Sequence, residues 1–259
     1  MVWLPLLLLV VWWVASAGST SLYFPPLSEI LSTVWSGFRD GDMASAVGTS
    51  MFNFLIGIVL ATIVGSALGV LIGENDRLLN ALLPLLNFIR TIPPVAFVPI
   101  VILALGVGAG SKILLIAFGC FWPILLNTIT GIKDIDPTVR EVVRAYRTPH
   151  RLRLGKVMFP AALPQISAGI RNAVALGIIM MIVSEMYGSV TGIGHYILQS
   201  SQNFEVTKTW AGTLVIGILG YLLTLLSMGL ERLWLGWYFQ RPPRRRLGRT
   251  VGQRSKEYQ

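Results

Sequence analysis

A chain of 259 residues that is 54% hydrophobic and only 13% charged cannot cover a globular surface with polar groups; a soluble domain carries about twice that charge fraction. The composition excludes an ordinary soluble enzyme and indicates an integral membrane protein. The net charge of +9 does not indicate nucleic acid, because fourteen of the 21 Lys and Arg cluster in segments 131–160 and 240–259, beside apolar runs.

Apolar runs fall at about 3–17, 50–73, 79–106, 112–131, 167–187 and 209–232. A helix crosses the hydrocarbon with roughly 20 residues, so the chain reads as all-α and polytopic, with about six transmembrane helices. The first run is short. Its sequence "MVWLPLLLLVVWWVASAG" ends in Ala15-Ser16-Ala17, which mimics a signal-peptidase site. It lacks a basic n-region and further spans follow, which favours a retained first span over a cleaved signal.

On the second run Gly65, Gly69 and Gly73 repeat every four residues, a small-residue face that admits close helix approach. Packing within one subunit and contact with a second copy are both open at this point. The third run contains Pro84, Pro93, Pro94 and Pro99, each of which removes a backbone donor. Freed carbonyls at membrane depth need protein or water nearby, so a broken helix beside a polar cavity is expected. Arg90 directly precedes this break; its guanidinium has two readings, attraction of an anionic substrate or support of the kink through carbonyl contacts. "GVGAGSK" at 106–112 is not a phosphate loop, since Ser111 separates Gly110 from Lys112. It reads as a turn between two spans.

Between the fourth and fifth runs lies "DPTVREVVRAYRTPHRLRLGKVMFPAALP". Asp136 is an N-cap and Pro137 a first helical residue. Val139, Val142, Val143 and Tyr146 recur at helical spacing, with Arg140, Arg144 and Arg147 elsewhere on the helix. Thr148-Pro149 interrupts it, and a second basic helix over 149–158 is expected before Pro160 and Pro164 reset the chain at the membrane. The result is a two-helix knob with an exposed apolar stripe, suited to another protein's groove; a basic loop resting on anionic lipid is the alternative.

The fifth run contributes Arg171, Ser184 and Glu185. Glu185 reads either as part of a path or as a structural cap beside the turn "YGSVTGIG". Arg90, Pro93, Pro94, Ser184 and Glu185 form the candidate path or gate. Six crossings place both termini on one side. The tail from Arg241 and the 131–160 loop mark that side as cytoplasmic. The two histidines, His150 and His195, then lie on opposite sides, and no nucleophile, base or metal set converges. The single Cys120 sits in an apolar run and gives no disulfide framework.

The knob resembles the cytoplasmic loop of binding-protein-dependent ABC importer permeases. That signature runs Glu-Ala-Ala, three residues, Gly, nine residues, then Ile-x-Leu-Pro. Glu141 holds the Glu position, Val142 and Val143 replace the alanines, and Val157, Phe159 and Pro160 close it. Arg144, Ala145 and Tyr146 fill the spacer, and Arg147 stands where the family has glycine, with Thr148-Pro149 next in line to make the turn. "FPPLSEIL", "RTIPPVAFVPI", "SKILLIAFGCFWPILLNTITGI" and "SEMYGSVTGIGHYI" all resemble segments of the nitrate, sulfonate, taurine and bicarbonate importer permeases and follow in the same order along the chain.

The resemblance implies a type I ABC importer permease fold. Residues 1–43 form the first helix and an external segment, 44–236 the transmembrane core with its coupling loop at 132–164, and 237–259 a basic cytoplasmic tail. It further implies a second permease copy, two ABC ATPase subunits and an external binding protein in a prokaryotic inner membrane. ATP and Mg would be held by the ATPase subunits, with no cofactor here. The expected cargo is a small anionic or heterocyclic solute. An ion-coupled secondary transporter or channel is the competing reading, disfavoured because the spans lack paired buried carboxylates or histidines.

Overall fold

The computed structural model describes residues 3–19 and 21–236; the expected basic tail at 237–259 lies outside the described residues. In chain order the helices are α1 (Trp3–Ser16), α2 (Leu27–Asp40), α3 (Asp42–Glu74), α4 (Asp76–Thr91), α5 (Val98–Leu105), α6 (Ala109–Lys133), α7 (Pro137–Ala145), α8 (His150–Leu152), α9 (Phe159–Gly188), α10 (Ile193–Gln202) and α11 (Val206–Trp234). No strand occurs among the described residues.

Four continuous helices are long and apolar enough to cross a bilayer: Asp42–Glu74, Ala109–Lys133, His150–Gly188 and Val206–Trp234. The expected third span is broken. α4 and the segment Pro94–Leu105 meet at 80°, where Pro93 and Pro94 withhold donors and Ile92 turns extended. α1 has 14 residues and a length of about 21 Å. Near its end Trp12 packs on Trp210, and the Ser16 hydroxyl accepts the Leu27 N–H at 3.1 Å, so α1 joins α2 and the start of α11. Helices α2 and α10, absent from the sequence reading, are short and amphipathic, and so fall below a span signal.

The core is the triplet α3, α6 and α9, with α6 central; Ile116, Cys120 and Ile124 on α6 are fully enclosed. Glycines set how closely these helices approach. A Cβ on Gly57 would lie 2.7 Å from Ile116 Cγ2, one on Gly65 3.1 Å from Ile124 Cγ2, one on Gly69 2.5 Å from Thr128 Cβ, and one on Gly73 3.0 Å from Ile132 Cβ. Both helices advance by the same steps along this seam, α3 from 57 to 73 and α6 from 116 to 132. The face formed by Gly65, Gly69 and Gly73 therefore packs inside one chain. On the adjoining face of α6, Gly169 and Gly177 of α9 receive Asn127 and Cys120, while Gly119 receives Met180.

The seam predicts a contrast. Gly69→Val should cost about 1–3 kcal/mol by overpacking, because Thr128 and the Leu125 carbonyl block the space. Gly229→Ala, with open space around it, should leave thermal stability unchanged or raised. Melting of the purified chain in detergent checks both, and Thr128→Ala should recover part of the Gly69→Val loss.

Candidate functional site

The knob at the junction of α6 and α9 is built from strong local signals. The Asp136 carboxylate accepts the Thr138 N–H at 2.9 Å and Pro137 occupies the first turn of α7. The helix closes with a left-handed residue, Arg147, at φ 46°. The Arg147 N–H donates to the Arg144 carbonyl at 3.0 Å and the Thr148 N–H to the Val143 carbonyl at 3.2 Å. These are the two bonds of a Schellman ending, in which the residue after the cap is usually glycine. Arg147 thus performs the glycine's backbone task itself; Thr148-Pro149 does not replace it.

After Pro149 the chain does not form a separate helix that stops before the membrane. α8, a π turn over Arg153–Met158 and α9 run together as 39 helical residues, His150–Gly188. Pro160 sits at the start of α9 and Pro164 inside it, so the expected reset does not occur. The wider π turn lies one turn before the prolines and absorbs the missing donor geometry.

On α7, Val143 faces inward, whereas Val139, Val142 and Tyr146 are exposed, Tyr146 at 81%. Glu141 and Ala145 are exposed beside them, as are Arg144 and Pro149. Val142 and Tyr146, flanked by charge, therefore point away from the protein, with Val139 at the edge of the same stripe. Arg140 turns back and donates to the Ile132 carbonyl at the end of α6. Beneath the knob a cavity of about 590 Å³ is lined by Gly131, Asp134, Val139, Val157, Pro160 and Gln165, among others. Phe159 is exposed.

At the opposite end of the core, Glu185 and Ser184 are buried within the chain's own packing. Glu185 is fully buried; its Oε2 accepts the Ser50 hydroxyl at 2.7 Å and the Gly194 N–H at 3.0 Å. Ser50 in turn accepts the Ile193 N–H at 2.9 Å. Ser184 donates to the Met181 carbonyl within its own helix. Lys112, in the "GVGAGSK" turn region, is 3% exposed and donates to Ser189 and Thr191 at 2.8 and 3.4 Å. These contacts, which join α3, α9 and the start of α10, are those of a structural cap. Gly192, at φ 106°, leaves no room for a Cβ against this carboxylate.

Arg90 sits in the last turn of α4 and is exposed on the single chain, with no hydrogen bond or ion pair among the described residues. It makes no carbonyl contact that would brace the break. Pro93 is exposed and Pro94 half-buried beside it.

Sequence reasoning missed Glu74 at the end of α3. Its carboxylate pairs with Arg153 and lies 3.3 Å from His150 Nε2. An acid in the last turn of a helix opposes the dipole, and that misplacement was the signal available. His150 and His195 lie at opposite ends of the core, and no metal-ligand group of three occurs among the described residues.

Long apolar helices joined by a protruding knob mark a multi-pass membrane protein. The family description "Binding-protein-dependent transport system inner membrane component" matches residues 57–234, and this chain belongs to that family. It is the permease subunit of a binding-protein-dependent importer. The putative aliphatic sulfonates transport permease protein of Bacillus subtilis is 31% identical, over 90% of this chain and 86% of its own length. The nitrate import permease protein of Synechocystis is 31% identical, over 87% and 85%. The taurine transport system permease protein of Escherichia coli is 27% identical, over 89% and 86%. Among solved structures, an inward-facing form of the MetNI methionine ABC transporter superposes with a TM-score of 0.64 at 18% identity, covering 74% of this chain and 96% of that one; this likeness concerns the fold alone.

Arg147 gives a local prediction. A side chain in the left-handed region costs about 1 kcal/mol relative to glycine, so Arg147→Gly should raise the melting temperature of the purified chain. Arg147→Val should lower it, since a branched side chain fits that conformation worst.

Proposed function

We propose that two copies of this chain form the path of an ATP-driven importer for a small anion. The knob docks into a groove on each of two ABC ATPase subunits, which hold the ATP and Mg. The observation that carries this reading is the exposed Val139, Val142 and Tyr146 stripe, borne on a helix whose Schellman ending reproduces the family turn without its glycine. A lipid-resting loop would turn its apolar residues and its basic residues toward one surface; here Arg140 is spent on α6 and the stripe stands free.

With α1 and the bent α4–α5 pair counted as crossings, six crossings place the described termini on the knob side, which is cytoplasmic. An external binding protein delivers substrate to the opposite side, where α2, α10 and the 189–192 turn lie. Ile100 and Leu103 on α5 and Phe88 on α4 are exposed apolar residues on elements that each bury a single residue, and they supply the contact with the second copy. Arg90 then faces the shared path from each half. The names of the relatives support an anion: aliphatic sulfonates, nitrate, taurine and bicarbonate.

Two substitutions test the reading. Glu141→Arg should abolish transport while leaving the chain in the membrane, either by preventing co-purification of the ATPase subunits or by separating their hydrolysis from transport. Transport at the unaltered rate would remove the knob from the coupling role. Arg90→Ala should lower uptake of nitrate, taurine or an alkanesulfonate at least tenfold with ATPase assembly intact; uptake unchanged for every anion would remove Arg90 from the path.

A further inference from the structure

α3 ends on Glu74, where the unsatisfied carbonyls of the last turn already concentrate negative charge. The carboxylate is nevertheless drawn in, its side chain only 10% exposed. Two residues from the start of the His150–Gly188 helix enclose it: Arg153 pairs with Oε1 and His150 approaches Oε2. Arg140 and Arg144 of α7 line the same cleft, together with Met158. Both halves of the knob therefore converge on one carboxylate of a span that is not adjacent to them in sequence.

The surroundings give this convergence a mechanical meaning. The knob is covalently continuous with α6 and α9; it reaches α3 through apolar packing of Ile135 and Met158 with Val70 and through the polar link at Glu74. Arg153 is the first residue of the π turn, a helical irregularity that marks hinges and functional sites. A π turn lets the knob tilt relative to α9, so covalent continuity alone transmits its motion softly. The ion pair bypasses that soft joint. Along the rest of its length α3 is seated on α6 by Gly57, Gly65, Gly69 and Gly73, so a pull on its end moves it as a stave rather than bending one turn.

We propose that Glu74 is the positioning residue through which displacement of the knob is carried into α3. The inference rests on the coupling role proposed for the knob, and the experiment separates the two. The chain is purified with its ATPase subunits in lipid nanodiscs, with Leu71→Cys, exposed on the last turns of α3, carrying a spin label; Cys120 is buried and stays unlabelled. Distances between the labels of the two copies are measured without nucleotide and after trapping with ATP and vanadate. Trapping should shift the distance when Glu74 is intact. In Glu74→Gln the shift should fall to less than half while ATP hydrolysis stays within twofold. The exchange Glu74→Arg with Arg153→Glu should restore it, which separates transmission from a merely structural loss. A full shift in Glu74→Gln, or an exchange no better than Glu74→Arg alone, overturns the inference. If the ATPase subunits do not co-purify with the unaltered chain, or trapping moves nothing there, the coupling role itself fails and this inference falls with it.

Discussion

Close backbone approach of α3 and α9 to α6 is the constraint on which the rest of this protein depends. In a bilayer no hydrophobic force drives one apolar helix onto another, so association rests on van der Waals fit. Here the fit is achieved by placing glycine opposite branched or bulky residues: Gly65 under Ile124, Gly69 under Thr128, Gly177 under Cys120 and Phe54. Each glycine costs helix propensity, and that cost is offset only if the facing side chain fills the vacated space. The complete enclosure of Ile116, Cys120 and Ile124 shows that it does.

Such a body transmits displacement only if its ends are fastened, and the two ends are fastened differently. At the end away from the knob a buried carboxylate, Glu185, is held by a hydroxyl and a backbone N–H, with Lys112 held by two more hydroxyls. Intramembrane charges that lose a hydrogen-bonding partner are expensive, so this end resists rearrangement. At the knob end the fastenings are ion pairs between elements, the enclosed Glu74 with Arg153 and the exposed Asp76 with Lys133. The π turn lies at that same end. Rigidity at the far end and compliance at the knob end suit a lever driven from the knob. The bent α4–α5 pair stands outside the triplet, and its apolar faces are left for other contacts.

The sequence made the spans legible because long apolar runs admit few other structures, and it made the knob legible because caps, prolines and Val spacing are local signals. Helix ends were less legible: α3 begins at Asp42 rather than near residue 50, and α9 is continuous back to His150. Polar terminal turns extend a span without adding hydropathy, and prolines that looked like stops are tolerated by a π turn. The glycine repeat was visible but its partner was not, since the facing Ile124–Thr128–Ile132 steps belong to a helix sixty residues away. Glu185 could not be assigned from sequence, because its role depends on Ser50 and Gly194 meeting it across the fold. Arg147 is the reverse case, a residue type that argues against a conformation the surrounding hydrogen bonds nonetheless impose.

The central claim is that the stripe on α7 is seated in an ATPase subunit. A photo-crosslinking amino acid at Val142, in the chain expressed with its ATPase partners in native membranes, tests this directly. The account predicts a light-dependent adduct with the mass of this chain plus one ATPase subunit, and none from the same group at Leu103. Adducts confined to lipid, or an ATPase adduct from Leu103 but not from Val142, would contradict it.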